Sequence, residues 1–376
     1  MSERKKIVFA INNLGMGGAE NMLIEQVRHI DQSHFETYII TLLSNPKINI
    51  LSKIPMGTRF LEFNFSNLLN LNSFYKLWKF LREEKVDAII TNLFVTNFIV
   101  RIVAVTARVP VILSYEHNVY QYKKNWQIVV DHLLAYFTNK ILVSSIDVLE
   151  FTSKQEFLPK SKFQLNPNSI SLKLGEAKRD RVAVLHKYGL PKESLYIVAV
   201  GSLTKQKGHT YLIDSVYEMK QRGVFGFRVL IFGNGILESE LVNKIEKLGL
   251  TEEIRLMGFK PIEEIVAISD IFTMPSLWEG LSIALLQAMN AGCPIVSTKV
   301  SGANEVIENN INGILVDVKN SHQLALALES LLGEPMLRKK LAKEAKEKVK
   351  GFSIEKNVKV IENLIIYESD SKYGLK

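Results

Sequence analysis

Short apolar runs alternate with stretches of helical period along nearly the whole chain. Ile7–Ile11, Thr37–Leu43, Ala88–Thr91, Val111–Tyr115 and Ile141–Ser144 are apolar-rich without strict alternation. That is the signature of strands buried on both faces of a parallel sheet. Between them, Ala19–Ile30 and Ser73–Glu84 space their apolar residues three and four apart, which predicts amphipathic helices. The pattern breaks near Phe163, where QLNPNSISLKLGEAKRD is polar and aperiodic and predicts an interdomain hinge. It restarts with strands at Tyr196–Val200, Phe227–Phe232 and Ile254–Met257 and helices at Thr210–Gln221 and Ile236–Leu248. Residues 272–307, FTMPSLWEGLSIALLQAMNAGCPIVSTKVSGANEVI, then read as a strand ending at Pro275, a polar loop and a helix from Ser282 to Asn290. Gly292 stops that helix, and a strand follows at Ile295–Thr298. Ile314–Val316 and a helix from Ser321 come next, and the charged segment Lys339–Lys350 predicts a solvated helix.

Strand–helix alternation of this kind implies the α/β class, with a doubly wound parallel sheet. A chain of 376 residues suits about two such domains. The expected division is 1–170 and 171–352, two Rossmann-like sheets facing across a cleft, with a C-terminal helix at 353–376 packing back on the first. In open parallel sheets ligands bind beyond the carboxyl ends of the strands, so every strand-to-helix loop is a candidate.

Composition narrows the classes. With 47% hydrophobic residues, each half can build a core. The formal charge of +8 comes from scattered Lys and Arg. It fits a solvated surface, or attraction to anionic substrates or an acidic membrane face. No arginine-rich arm points to nucleic acid. Cys293 is the only cysteine, which excludes an intramolecular disulfide and a multi-thiolate metal site. A reducing, cytoplasmic compartment is expected, with Cys293 as a buried small apolar residue. The apolar stretch after MSERKK is short and reads as a first strand rather than a signal peptide. The nearest approach to a membrane span, Leu93–Val105, is interrupted by Arg101. Ser66–Lys85 mixes Leu, Phe and Trp with Lys76, Lys79, Arg82 and Lys85. It reads as a surface helix with its apolar face in the core, or as a basic amphipathic helix on an anionic membrane. The histidines are dispersed and no Asp-x-Asp pattern occurs, so no metal site is expected.

The candidate chemistry sits in the loops. Gly15, Gly17 and Gly18 follow the first strand and would let backbone approach a phosphate. A dinucleotide fingerprint fails there, because its sixth position from Gly15 is Glu20. In the second domain, Gly201–Gly208 carries Ser202, Lys205 and Lys207 before a helix. A lysine there can neutralise a diphosphate leaving group. Glu116, His117 and Asn118 close the Val111–Leu113 strand, where a histidine is expected to face the cleft and serve as hydrogen-bond donor, acid or base. Tyr120, Tyr122 and Trp126 fit either an acceptor groove or ordinary packing. Glu279 and Gly280 precede a helix N-terminus, whose N–H groups attract anions. An acid beside such a spot is better suited to sugar hydroxyls than to the phosphate itself, which suggests a nucleotide-sugar site.

Together the GMGGAE loop, the Gly201–Gly208 loop, Phe272–Gly280, Gly302–Glu305 and Gly313–Val316 resemble glycosyltransferase family 4 over nearly the whole chain. The family consists of retaining enzymes of the two-Rossmann-domain (GT-B) architecture. The Glu116-His117-Asn118 loop and Asn166-Pro167-Asn168 are similar to members that build bacterial surface polysaccharides and lipid-linked oligosaccharides. The resemblance implies an acceptor-binding first domain and a donor-binding second. It implies that Glu279 contacts donor-sugar hydroxyls and that Lys207, with the amides after Gly280 at Leu281, Ser282 and Ile283, binds the diphosphate. Gly17 and Gly18 would close on the phosphates, Phe259 would lie near the base, and His117 near the reacting centre. Glu116, Asn118 and Tyr120 would serve the acceptor. It further implies front-face substitution without a divalent metal. Two positions depart from the pattern. Ser202 stands where the family usually has Arg, and Gln287 where it has a second acid for the ribose. The latter exchange should cost on the order of 1 kcal/mol.

The expected activity is therefore transfer of a sugar, with retention, from a nucleotide-diphosphate donor to a glycan or lipid-linked glycan acceptor. UDP-sugar is the default donor and no cofactor is expected. The expected location is cytoplasmic, with peripheral association on the cytoplasmic membrane face. Two alternatives stay open: a weakened nucleotide-sugar-binding or scaffold protein, and a nucleotide-sugar epimerase of the same architecture.

Overall fold

The computed structural model describes residues 4–15, 17–43, 53–65, 70–120, 123–175 and 179–372. Met16, Tyr122, the hinge residues Glu176–Lys178 and the start of the predicted amphipathic segment, Ser66–Leu69, lie outside the described residues. The chain forms two compact units, one of residues 1–170 with 354–376 and one of residues 171–353.

The first unit runs β1 (Lys5–Ile11), α1 (Gly18–His29), β2 (Phe35–Thr41), β3 (Arg59–Glu62), α2 (Leu71–Glu83), β4 (Ala88–Asn92), α3 (Phe94–Ala107), β5 (Val111–Glu116), α4 (Asn125–Ala135), β6 (Lys140–Val143), α5 (Ile146–Gln155) and β7 (Phe163–Leu165). The second runs α6 (Arg181–Lys187), β8 (Leu195–Val200), α7 (His209–Gln221), β9 (Phe227–Phe232), α8 (Glu238–Lys247), β10 (Ile254–Gly258), α9 (Glu263–Ile268), β11 (Ile271–Met274), α10 (Ile283–Ala291), β12 (Ile295–Thr298), α11 (Ser301–Val306), β13 (Ile314–Val316), α12 (Ser321–Gly333) and α13 (Pro335–Lys348). A last helix, α14 (Ile354–Lys372), belongs to the first unit.

Both sheets are parallel throughout the described residues. The first has the order β3-β2-β1-β4-β5-β6-β7 and the second β10-β9-β8-β11-β12-β13. The continuous apolar runs are buried on both faces. Ile7, Val8, Phe9, Ala10 and Ile11 are all inaccessible, with Val8 paired to Tyr38 on one side and Ile89 on the other. In the second unit Ile197, Ala199, Val229 and Ile231 pack against Leu212, Val216 and Leu328 from α7 and α12.

Several expectations are adjusted. The break after Phe163 begins later than its polarity implies. Gln164 and Leu165 pair with Leu142 and Val143 as an edge strand too short to show a period. Asp180, read as hinge, caps α6 by accepting from Val182 N at 2.9 Å and Ala183 N at 3.4 Å. The Leu93–Val105 run supplies the N-cap and most of α3, a core helix whose Arg101 is buried against charged partners. Among the described residues no helix is long and apolar enough to cross a membrane. In the Ser66–Lys85 segment, α2 turns Ser73, Leu77 and Leu81 inward and leaves its basic residues outside. Truncating Leu77 to Ala would cost about 2–5 kcal/mol of packing. The Lys339–Lys350 segment falls within and just beyond α13, which still buries Leu341 and Ala345.

Candidate functional site

In the second unit the strand order reverses between β8 and β11, so the loops after these two strands flank a topological switch point. One loop carries Ser202, Lys205 and Lys207, and the other Trp278, Glu279 and Gly280. Hydrogen bonds join them. Leu277 N donates to Gln206 O at 2.7 Å, and Gln206 Nε2 donates to Trp278 O at 3.1 Å. Gly208 permits the approach. Its φ is +63°, and a Cβ there would sit 2.0 Å from Pro275 O. Lys207 Nζ then donates to Glu279 Oε2 at 2.5 Å, in a pair whose side chains are 17% and 13% exposed.

The helix that follows Glu279 is built to present its N-terminus. Ser282 Oγ accepts from Leu285 N at 3.4 Å and caps α10, and Gly292 in the left-handed region closes the far end. The first-turn N–H groups of an α-helix have no intrahelical acceptor and carry partial positive charge. Gly302, at the start of α11, packs so closely that a Cβ would lie 2.3 Å from Gly280 O. Leu281 is buried, Ile283 is half-buried, and Gln287 is a half-buried residue one turn further along α10. Ser202 is exposed, with its hydroxyl 3.3 Å from Thr204 Oγ1. Phe259 follows β10, two strands from the switch point, and is exposed. Lys207, Glu279, Gly280 and the α10 N-terminus are thus brought together, and Gly258, just before Phe259, accepts from Gly233 N at 3.0 Å beside the Gly201 loop. Cys293 is buried after α10, and burial raises its thiol above the usual range.

In the first unit the order reverses between β1 and β4. Gly17 and Gly18 are exposed at the N-terminus of α1, just beyond β1. Leu93, after β4, holds a strained backbone with φ 69° and ψ 154°, a conformation that clusters at functional sites. Asn12 Oδ1 ties the two loops together by accepting from Thr96 N at 3.0 Å.

His117 differs from its expected placement. It is 9% exposed, not open, because it stacks on Tyr115 at 4.2 Å and its Nε2 is engaged by Asn92. Nε2 lies 2.8 Å from Asn92 Oδ1 and Nδ1 lies 3.3 Å from Asn168 Oδ1. Asn92 Nδ2 donates to Ala10 O at 3.2 Å, which leaves Oδ1 facing the ring and makes Nε2–H the donor. Burial lowers the imidazole to about 4, so it is neutral near pH 7. Glu116 also departs from expectation. At 3% exposure its carboxylate turns inward to accept from Asn97 Nδ2 at 2.9 Å, and burial raises it above the ordinary carboxylate range. An acceptor cannot reach a group so placed. Asn118 Oδ1 accepts from Val119 N at 2.8 Å, and Tyr120 is half-buried, its carbonyl accepting from Gln155 Nε2 at 3.0 Å. Sequence reasoning missed Asn92 and Asn168 as the partners of His117. A polar residue closing the apolar strand AIITN was the available signal for Asn92. Among the described residues no group of three or more His, Cys, Asp or Glu is placed to hold a metal ion.

Comparison with known proteins places these loops in context. Residues 181–348 match the family described as glycosyl transferases group 1, and residues 16–174 match glycosyltransferase family 4. The chain is 25% identical to the Escherichia coli UDP-Gal:alpha-D-GlcNAc-diphosphoundecaprenol alpha-1,3-galactosyltransferase, over 93% of this chain and 94% of that protein. It is 27% identical to a Campylobacter jejuni N-acetylgalactosamine-N,N'-diacetylbacillosaminyl-diphospho-undecaprenol 4-alpha-N-acetylgalactosaminyltransferase, over 96% and 99%. Among solved structures, Anabaena Alr3699/HepE in complex with UDP and glucose superposes with a TM-score of 0.86 at 18% identity, covering 97% of this chain and all of that one. WaaG, a glycosyltransferase of lipopolysaccharide biosynthesis, gives 0.74 at 16%, covering 96% and 99%. At such identities the structural likeness establishes the fold, two parallel α/β domains of the GT-B type.

Proposed function

Because the chain belongs to the glycosyltransferases of family 4 and group 1, we propose that it moves a sugar, with retention, from a UDP-sugar to a lipid-linked glycan in bacterial-type surface polysaccharide synthesis. The observation that carries this reading is the Lys207–Glu279 pair beside the N-terminus of α10 at the second unit's switch point. A diphosphate seated on the first-turn amides would draw the Lys207 ammonium to itself. Glu279 would then be free to accept hydrogen bonds from the sugar's hydroxyls. Lys207 and the helix N-terminus would hold the negative charge that develops on the leaving diphosphate, and a leaving oxygen would take the acceptor's proton. No divalent metal enters that sequence. His117, neutral and with its one N–H given to Asn92, would serve by shape rather than as an acid. The choice of UDP and of a diphospholipid acceptor rests on what the relatives are named for.

The test is donor turnover against a panel of acceptors. Glu279→Ala and Lys207→Ala should each abolish most transfer, and unchanged turnover in both would refute the site. The scaffold alternative draws on Ser202 and Gln287, and UDP-sugar binding without transfer or hydrolysis would favour it. The epimerase alternative needs a pair of acid–base carboxylates, and its two candidates are a buried Glu116 and a Glu279 paired with Lys207.

Peripheral membrane association belongs to the same proposal, and α4 adds to its support. Trp126, Val129, Leu133, Tyr136 and Phe137, on α4 and the turn after it, are all exposed at helical spacing, and Lys124 is exposed at the helix start. Aromatic and aliphatic side chains beside a lysine suit an anionic lipid surface. Liposome sedimentation should show binding that a Trp126→Ser/Leu133→Ser variant loses.

A further inference from the structure

The first unit packs five charged side chains against one another in its interior. Arg101 comes from α3, Glu116 from the end of β5, Lys123 from the loop beyond it, Asp131 from α4 and Glu156 from the end of α5. None of the five side chains is more than 3% exposed. Lys123 Nζ donates to Asp131 Oδ2 at 2.9 Å and to Glu156 Oε1 at 2.6 Å. Arg101 donates to Asp131 Oδ1 at 3.4 Å. The rings of Phe94 and Tyr120 lie 5.7 and 5.6 Å from the Lys123 ammonium. Glu116 Oε2 is buried without a hydrogen-bond partner among the described residues.

Such a cluster is a poor way to gain stability, since apolar residues of similar volume commonly do as well. What it does supply is one fixed geometry. Three carboxylates face two cations, and burial raises Glu116 and Glu156 above the ordinary carboxylate range. Its centre, Lys123, lies on the loop between His117 and α4 that also carries Asn118 and Tyr120. His117, just before these residues, is hydrogen-bonded to Asn92, and the Tyr120 ring lies 5.6 Å from this ammonium.

We propose that Lys123 is a positioning residue whose buried ammonium sets the conformation of the Asn118–Tyr120 loop and, through it, the recognition of the acceptor. This rests on the glycosyltransferase reading and extends it to the acceptor side.

The experiment compares wild type with Lys123→Met and with the double variant Lys123→Met/Glu156→Gln, which removes one charge of each sign and protects the fold if the single variant fails. Three readouts are taken: UDP affinity by calorimetry, hydrogen exchange of a peptide covering residues 117–124, and acceptor KM with a short-chain GlcNAc-diphospholipid. The expected result is exchange at least tenfold faster in that peptide and an acceptor KM raised at least tenfold. UDP affinity should stay within twofold and kcat should change little. Slow exchange at 117–124 in a folded variant overturns the proposal, as does a loss shared equally by donor and acceptor. Wild type that fails to bind UDP would overturn the glycosyltransferase reading instead. Should the wild type not use this acceptor, the exchange measurement decides alone.

Discussion

Lys207 and Glu279 lie 72 positions apart in the chain, yet their side chains meet at 2.5 Å at the point where the second sheet reverses its order. Each satisfies the other's charge. The pair therefore separates two effects that a list of binding residues would merge. Lys207→Ala should weaken UDP by about 10- to 100-fold, the loss of a charge-assisted contact worth roughly 1.5–3 kcal/mol. Glu279→Ala frees the ammonium, so UDP itself should bind at least as tightly while transfer from the UDP-sugar collapses. Calorimetry with UDP beside turnover with the intact donor distinguishes the two. Weakened UDP binding in Glu279→Ala would contradict the division of labour.

Ser202 offers a gain-of-function test. Its exposed hydroxyl contacts only a neighbouring threonine hydroxyl among the hydrogen bonds described, in a loop facing the same switch point. Ser202→Arg adds a cation and a bidentate donor where a diphosphate is proposed. UDP affinity should rise severalfold, by about 1 kcal/mol, and the gain should shrink as salt is added.

The buried imidazoles predict how stability responds to acid. Burial lowers both His117 and His209 from 6.5 to about 4. Depressed values favour the neutral form in the fold. Their contribution is thus full above pH 6.5 and is lost as pH falls from 6.5 towards 4, by about 3 kcal/mol per group. Denaturant midpoints between pH 7.5 and 4.5 should fall accordingly. His117→Asn and His209→Asn should each flatten the slope while lowering stability at pH 7.5.

Asn357 predicts what fastens the last helix to its own unit. From α14 its Nδ2 donates to Pro167 O at 2.8 Å and to Tyr115 Oη at 3.3 Å, while its Oδ1 accepts from Gln26 Nε2 at 2.9 Å. Tyr115 in turn stacks on His117. Asn357→Ala strands buried polar groups and should destabilise the first unit by about 1–3 kcal/mol in a urea melt. A change under 0.5 kcal/mol would show that this brace is dispensable.

Local pattern along the chain was enough for the α/β class, most of the strands and the loops in which chemistry was to be sought. Those signals are local. A strand buried on both faces must be apolar throughout, a helix must repeat its apolar residues at its own period, and a tight approach such as Gly208 to Pro275 requires glycine. β7 escaped because three edge residues carry no period, and the strain at Leu93 escaped because nothing in its own side chain announces it. The folded arrangement was needed to show which loops lie at the two switch points, that Lys207 is paired with Glu279, and that His117 is a buried neutral donor held by Asn92. It also decided that Glu116 turns into a charged cluster instead of towards an acceptor. Partners and burial of this kind depend on which distant segments the strand order makes neighbours. Charge state follows from that burial, and no pattern along the chain encodes it.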